Sequence, residues 1–204
     1  LMVQYGTTPW LALLAGLAVG ALAGGVNGLI ITKVQVNPFI TTMGMMSIGR
    51  GLTYLFASGL RGTVASNIPM RDQALNFLGA GYIGPVPFPV IEMVILVVLA
   101  SLFLGNTVLG RQIYGVGSNE QASRLSGVDV DRVRLFCYTL TGLLAAYAGV
   151  MTAGLLSTAA TNAGIGTELD VIAAAVIGGA SLAGGEGTVY GAVIGAAIMA
   201  VLRN

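Results

Sequence analysis

Between Trp10 and Thr32 the sequence reads WLALLAGLAVGALAGGVNGLIIT, a stretch without a charged residue. A membrane-spanning helix needs about 20 predominantly apolar residues, so this stretch predicts a transmembrane span. The composition extends that prediction to the whole chain. Of the 204 residues, 55% are hydrophobic and 8% are charged, whereas about 25% are charged in an ordinary soluble domain. We therefore predict an all-α, polytopic transmembrane helical bundle.

Charged or polar segments separate the other predicted spans. Residues 110–134 carry seven charges and are predicted to form a cytoplasmic loop. The last two spans are short, Gly-broken helices on either side of Glu186. Because the chain does not start with Met, we expect its single transmembrane domain, residues 1–204, to be part of a longer protein. The predicted spans are 10–32, 38–60, 87–109, 135–156, 169–183 and 188–203.

The composition also excludes several classes of function. A net charge of +1 without a basic patch argues against nucleic-acid binding. The chain has no His and one Cys, which removes His-based acid–base catalysis and Cys/His metal sites. The run from Gly179 to Gly184 has the spacing of a phosphate-binding loop but lacks the Lys that should follow. We therefore predict no catalytic residue, no metal and no bound cofactor in this chain.

Positive charges orient the predicted spans, because cytoplasmic loops are enriched in Lys and Arg. If the first span runs inward, the outer loops 61–86 and 157–168 hold only Arg61 and Arg71. The inner loops 33–37, 110–134 and 183–187 then hold Lys33, Arg111, Arg124, Arg132 and Arg134.

Glycines are spaced regularly at two places. In the first span they recur every fourth residue and form a groove without side chains, which suits either a moving contact between helices or a static packing seam. In the last two spans they suit either broken helices beside a substrate path or an ordinary tight turn. The helix-packing or hinge candidates are Gly16, Gly20, Gly24, Gly28, Gly178, Gly179, Gly184 and Gly185.

Arg50 lies midway along the second predicted span. A charge at that depth costs about 2.5–3.5 kcal/mol on insertion scales and usually faces a bundle interior or water. We weigh two interpretations, a residue of the substrate path and a structural cation, and expect Arg50 to avoid lipid in either.

The loop 110–134 carries helix signals. Ser118 and Gln121 have the spacing of a capping box, and Gly127 is placed to end the helix in the left-handed conformation. Asp129 is placed to cap the next helix. We predict a short amphipathic helix over Asn119–Ser126 on the cytoplasmic face, which either docks on another protein or rests on lipid headgroups.

Four segments resemble the ribose-type sugar permeases of bacterial ABC importers, and together they extend over most of the chain in order. The two specific ones are GRQIYGVGSNEQASRLSGVDVDRVR at residues 110–134 and ELDVIAAAVIGGASLAGGEGT at 168–188. NPFITT at 37–42 and MSIGRG at 46–51 are similar to a third hallmark of that family.

The resemblance implies a multi-pass permease of the bacterial inner membrane. It implies a second permease subunit, a cytoplasmic ATPase with two nucleotide-binding halves that holds ATP and Mg²⁺, and an extracytoplasmic sugar-binding protein. The helix Asn119–Ser126 then corresponds to the coupling helix that contacts the ATPase. Its candidate residues are Asn119, Glu120, Ala122, Arg124, Ser126 and Gly127.

The sugar contacts are not given by a motif. Amide, aromatic and hydroxyl groups suit the hydroxyls and faces of a sugar, so Asn37, Phe39 and Thr42 join Arg50 as substrate-path candidates.

Three alternatives are weighed beside import of a pentose- or hexose-class sugar by alternating access. The same machinery can carry a nucleoside, an autoinducer or a polyol. An ion-coupled secondary transporter is a different class, but it calls for carboxylates or His at the midplane, and this sequence has no His. A purely structural membrane anchor has no need of a capped cytoplasmic helix.

Overall fold

The computed structural model describes residues 8–61, 67–69 and 73–203. Most of this part of the chain is helical, which confirms the all-α prediction. A π-helix, Ile30–Val34, directly follows the first α-helix, Pro9–Leu29. The α-helices are α1 (Pro9–Leu29), α2 (Pro38–Arg61), α3 (Gln73–Ala80), α4 (Phe88–Asn106), α5 (Val108–Ser118), α6 (Glu120–Leu125), α7 (Val130–Leu156), α8 (Thr167–Ile177) and α9 (Val189–Arg203).

Within the described residues, four very short strands form two antiparallel ribbons. Strand β1 (Asn67–Pro69) pairs with β4 (Thr158–Ala160). Strand β2 (Tyr82–Ile83) pairs with β3 (Val86–Pro87) and leads directly into α4.

Within the described residues, three helical segments are long and apolar enough to cross a membrane: Pro9–Val34, Phe88–Asn106 and Val130–Leu156. None of the residues in the apolar window of Phe88–Asn106 is buried, as expected of a helix whose surroundings are lipid. Helix α2 has the length of a span but carries Arg50 midway, and α9 is a shorter apolar helix.

The helices around the predicted loop 110–134 differ from the prediction. Helix α4 ends at Asn106 instead of continuing to 109, and α5 occupies the first half of the supposed loop. Thr107 makes this break, since its backbone is extended and its Oγ1 accepts a hydrogen bond of 3.0 Å from the Gly110 N–H. Charges predicted a loop here, but Arg and Gln are good helix formers.

The start of α7 and the end of α8 also differ from the predicted spans. Helix α7 begins at Val130, five residues before the predicted 135, because Asp129 accepts a hydrogen bond from the Arg132 N–H and caps it. Helix α8 ends at Ile177, well before 183.

The residues group into two compact units. One contains Leu1–Ile91 and Leu135–Ala163, and the other contains Glu92–Arg134 and Gly164–Asn204. The boundaries between the two units fall inside α4 and inside α7. That residues 1–204 form a single transmembrane domain stays a prediction.

In the first unit, the glycine row of α1 packs against α7. A Cβ atom built on Gly24 would overlap the Tyr138 carbonyl oxygen, and one on Gly20 would overlap the Gly142 carbonyl and the Ala146 side chain. At Gly28 it would come within 2.9 Å of the Leu135 Cδ1 atom. The two helix backbones therefore touch. Gly16, at the loose end of the row, would place its Cβ 3.7 Å from Val150.

Gly24 and its neighbour Gly25 provide a matched test of this contact. We expect Gly24→Ala to lower the apparent Tm of the detergent-solubilised protein, since forcing a methyl group into a packed contact typically costs about 1–3 kcal/mol. A Cβ on Gly25 would lie 3.5 Å from the Thr139 Oγ1, which is ordinary van der Waals distance, so Gly25→Ala should melt like the parent. Equal melting of the two variants would contradict the packing.

In the second unit, α8 and α9 form a tight antiparallel hairpin. A Cβ on Gly195 would overlap the Ala174 carbonyl oxygen, and one on Gly191 would overlap the Gly178 carbonyl. An ion pair between Arg203 and Asp170 joins the two helices at their far ends. The loop that connects α8 to α9 is therefore carried by two helices in backbone contact.

Candidate functional site

The predicted helix over Asn119–Ser126 is present as α6, Glu120–Leu125. Its N-cap is Asn119, whose Oδ1 accepts a hydrogen bond of 2.9 Å from the Ala122 N–H. The predicted capping box at Ser118 and Gln121 is wrong by one residue. Ser118 is still the last residue of α5, and the backbone becomes extended only at Asn119.

The C-terminal end of α6 follows the prediction. Gly127 has φ +82°, the left-handed conformation that glycine adopts without a steric penalty. The Val128 N–H then donates to the Ser123 carbonyl at 3.0 Å, which closes the last turn. With a capping side chain at one end and a glycine at the other, α6 is a well-defined unit despite its length.

Four charged side chains connect α6 to the first turn of α7. Arg124 pairs with Glu120 at 3.2 Å and with Asp131 at 2.8 Å, and Arg134 pairs with the second oxygen of Glu120. The hydrogen bonds that Arg124 donates to Asp131 and then to Glu120 raise the pKa of Arg124 above its ordinary value. Arg124 therefore keeps its charge throughout the physiological pH range, and these ion pairs keep their cation.

The pairing changes the interpretation of two predicted contact residues. Glu120 and Arg124 were expected to face a partner protein, but their charged groups are engaged within the chain. Their contact with a partner stays a prediction, and the structure gives them a second task, which is holding α6 on α7. Val130, the first residue of α7, is fully buried.

Leu125 is the apolar side chain that α6 exposes most. It is 90% exposed and ends the helix. Leu125 was not among the predicted coupling residues, because one Leu in a polar segment is not distinctive.

Helices α5 and α6 enclose an open groove of about 410 Å³. Three of the predicted coupling residues, Asn119, Ala122 and Ser126, line it from the α6 side. Arg111 and Gln112 of α5 line the opposite side, so the groove carries one cation although most of its lining surface is apolar.

The loop between α8 and α9 lies against the end of α5. The Tyr114 hydroxyl donates a hydrogen bond of 2.9 Å to the Gly187 carbonyl. A Cβ on Gly117 would lie 2.5 Å from the Gly185 nitrogen, so the two backbones are in contact. The predicted hinge residues Gly184 and Gly185 thus meet α5. No local signal indicates this contact, since Tyr114 and Gly187 are far apart in the chain.

The other two glycines of this loop have different surroundings. Gly178 ends α8 and contacts the backbone of Gly191 in α9. Gly179 follows it with φ +89°.

Three of the substrate-path candidates lie in the first turns of α2. The Asn37 Oδ1 accepts a hydrogen bond of 2.9 Å from the Phe39 N–H and caps the helix. The Thr42 hydroxyl donates to the Pro38 carbonyl at 3.0 Å. Both polar groups therefore have local partners, whereas the Phe39 ring is 72% exposed and open to contact.

Arg50 is half-buried, and the Met46 sulfur lies 3.8 Å from its Nη2. Within the described residues, no carboxylate lies at ion-pair distance from it. Asn27 in α1 was not among the predicted site residues, although its buried Oδ1 has no hydrogen-bond partner among the described residues. It lies just before the π-helix, and such insertions are frequent at functional sites.

Helices long enough to span a membrane, with a short capped helix between them, define the chain as a membrane protein, and the comparisons assign its family. All of it, residues 1–204, matches the family described as the branched-chain amino acid transport system / permease component. The chain belongs to this family and is a multi-pass protein of the bacterial inner (plasma) membrane.

Its relatives include sugar import permeases. The chain is 43% identical over 193 residues to the ribose import permease protein RbsC of Escherichia coli (strain K12), with 95% of this chain and 60% of that protein covered. It is 40% identical over 207 residues to RbsC of Bacillus subtilis (strain 168), covering 100% and 62%. It is 37% identical over 201 residues to the fructose import permease protein FrcC of Rhizobium meliloti, covering 97% and 56%.

The chain thus spans about 60% of the length of the curated relatives it matches. No solved structure matches it significantly.

Proposed function

We propose that the chain forms part of the permease subunit of an ATP-binding-cassette importer, which moves a monosaccharide inward by alternating access. The observation that carries this proposal is α6, a short capped helix between membrane helices, in a chain whose relatives are named as ribose and fructose import permeases. Ribose, xylose and galactose represent the size and polarity expected of the substrate.

The proposed topology places α5 and α6 in the cytoplasm. Arg111, Arg124, Arg132 and Arg134 lie in or beside these helices, and such a concentration of cations marks the cytoplasmic side. There α6 docks on the ATPase and serves as the coupling helix.

The proposed partners follow from this arrangement. A second permease subunit, identical or related, completes the translocation path. A cytoplasmic ATPase with two nucleotide-binding halves holds ATP and Mg²⁺ and supplies the driving force, since no phosphate-binding motif is complete in this chain. An extracytoplasmic sugar-binding protein delivers the substrate.

ATP-driven uptake into proteoliposomes tests the function. The full-length permease, with the ATPase and binding protein encoded beside its gene, should accumulate a labelled monosaccharide only when ATP is supplied on the ATPase side. Competition with ribose, fructose, a nucleoside and a polyol identifies the substrate class. Accumulation driven by a proton or sodium gradient without ATP would contradict the proposal and support a secondary transporter.

A further inference from the structure

We propose that Tyr114, Gly117, Gly184, Gly185 and Gly187 form a latch that transmits the movement of the coupling helix to the α8–α9 hairpin. This inference rests on the proposed function. All five residues belong to the same compact unit. We call them the Tyr114 latch.

The first half of the latch is a hydrogen bond between distant parts of the chain. The Tyr114 hydroxyl reaches the Gly187 carbonyl at 2.9 Å, and the side chain is half-buried. A hydroxyl on a rigid ring holds its partner at a defined distance, because few of its torsions are free.

The second half is a contact between two backbones. A Cβ on Gly117 would lie 2.5 Å from the Gly185 nitrogen, and one on Gly185 would lie 2.6 Å from the Ser118 Cα. Only glycine on both sides permits this approach. Gly184 and Gly185 also have φ of +94° and +78°, which other residues rarely adopt.

The loop that carries the latch is internally braced. The Ser181 N–H donates to the Glu186 carbonyl at 3.1 Å, and the Gly184 N–H donates to the Ser181 carbonyl at 3.1 Å. Both ends of the loop continue into α8 and α9, which are in backbone contact through Gly178 and Gly191. A displacement of the loop is therefore a displacement of the hairpin.

The connection of the latch to the coupling helix α6 is equally direct. Asn119 alone separates α5 from α6, and its N–H still donates to the Gly115 carbonyl at 3.0 Å. A movement of α6 therefore moves the end of α5, where Gly117 lies. Energetic coupling between distant sites is carried by such chains of packed and hydrogen-bonded groups.

Tyr114→Phe tests the latch, because it removes the hydroxyl and keeps the ring. The variant should still assemble with the ATPase and hydrolyse ATP at the basal rate. The ATP consumed per sugar transported should rise about two- to tenfold, the factor that corresponds to one hydrogen bond. Tyr190→Phe, which changes an exposed tyrosine of α9, is the matched control and should behave like the parent.

A second pair of variants tests the backbone contact. Gly117→Ala should raise the same ratio, since its methyl group displaces Gly185. Gly115→Ala is its control, because a Cβ there would lie 3.5 Å from the Ser123 Oγ. A loss of transport that only follows the amount of assembled transporter would show a structural role and overturn the proposal.

Amide hydrogen exchange separates failure of the latch from failure of the proposed function. In Tyr114→Phe, exchange of residues 181–187 should become faster than in the parent and in Tyr190→Phe. Unchanged exchange would overturn the latch, and so would faster exchange with an unchanged ATP-to-sugar ratio. If the parent itself shows no ATP-dependent uptake, the proposed function fails while the exchange result still reports on the contact.

Discussion

Proline in place of Ala122 is expected to abolish ATP-dependent uptake while the permease still inserts and folds. The Ala122 N–H donates to the Asn119 Oδ1, and proline has no N–H, so the cap is lost at a cost of about 1 kcal/mol. The proline ring also disfavours the helical conformation of the preceding Gln121. Helices shorter than about 12–15 residues are marginal by themselves, so the six residues of α6 have little to offset both losses.

Ala122→Ser is the matched control, since it changes the side chain and keeps the N–H. It should support uptake and substrate-stimulated ATP hydrolysis at close to the parent level. Co-purification of the ATPase with each permease variant and uptake in proteoliposomes are the measurements. Normal assembly and normal uptake by the proline variant would refute the assignment of α6 as the coupling helix.

Truncation of Leu125 to Ala is expected to weaken binding of the ATPase about ten- to hundredfold. Full burial of a leucine side chain contributes about 1.5–3 kcal/mol, and each 1.4 kcal/mol corresponds to a factor of about ten in affinity. Because Leu125 is 90% exposed in the chain alone, its truncation removes few internal contacts. The melting temperature of the isolated permease should therefore stay the same.

Leu169→Ala is the control for this change. Leu169 is also largely exposed, at 69%, but it lies in the first turn of α8, away from α6 in sequence. Titration of the ATPase onto each permease in lipid nanodiscs gives the Kd. An unchanged Kd for Leu125→Ala would show that the apolar end of α6 is not the contact.

Local signals in the sequence predicted the parts of the site that depend on neighbours in the chain. Gly127 as a left-handed helix end and Asp129 as a cap are both decided within a few residues. The cap at Asn119 was missed for a related reason. Whether Ser118 or Asn119 caps α6 depends on where α5 ends. Helix α5 itself was not predicted, because the charges in this segment indicated a loop.

Contacts between distant segments had no such signal. No sequence pattern marks Tyr114 for a distant contact, and its hydrogen bond to Gly187 is seen only in the folded chain. The additional partners of Glu120 and Arg124, which are Arg134 and Asp131, appear because α7 begins earlier than the apolar pattern predicted. The glycine spacing did predict close packing of α1, but its partner, α7, became known only from the structure.

The central claim is that α6 lies in the cytoplasm and docks on the ATPase, and one cysteine tests it. Gln121 is exposed on α6, and Cys137 is the single cysteine among these 204 residues, so Gln121→Cys in a Cys137→Ser background places the one thiol of this segment on α6. A membrane-impermeant maleimide should leave it unmodified in intact cells and modify it after permeabilisation. A short thiol-to-amine crosslinker should then join it to the ATPase. Modification from outside intact cells, or no crosslink in the assembled transporter, would contradict the claim.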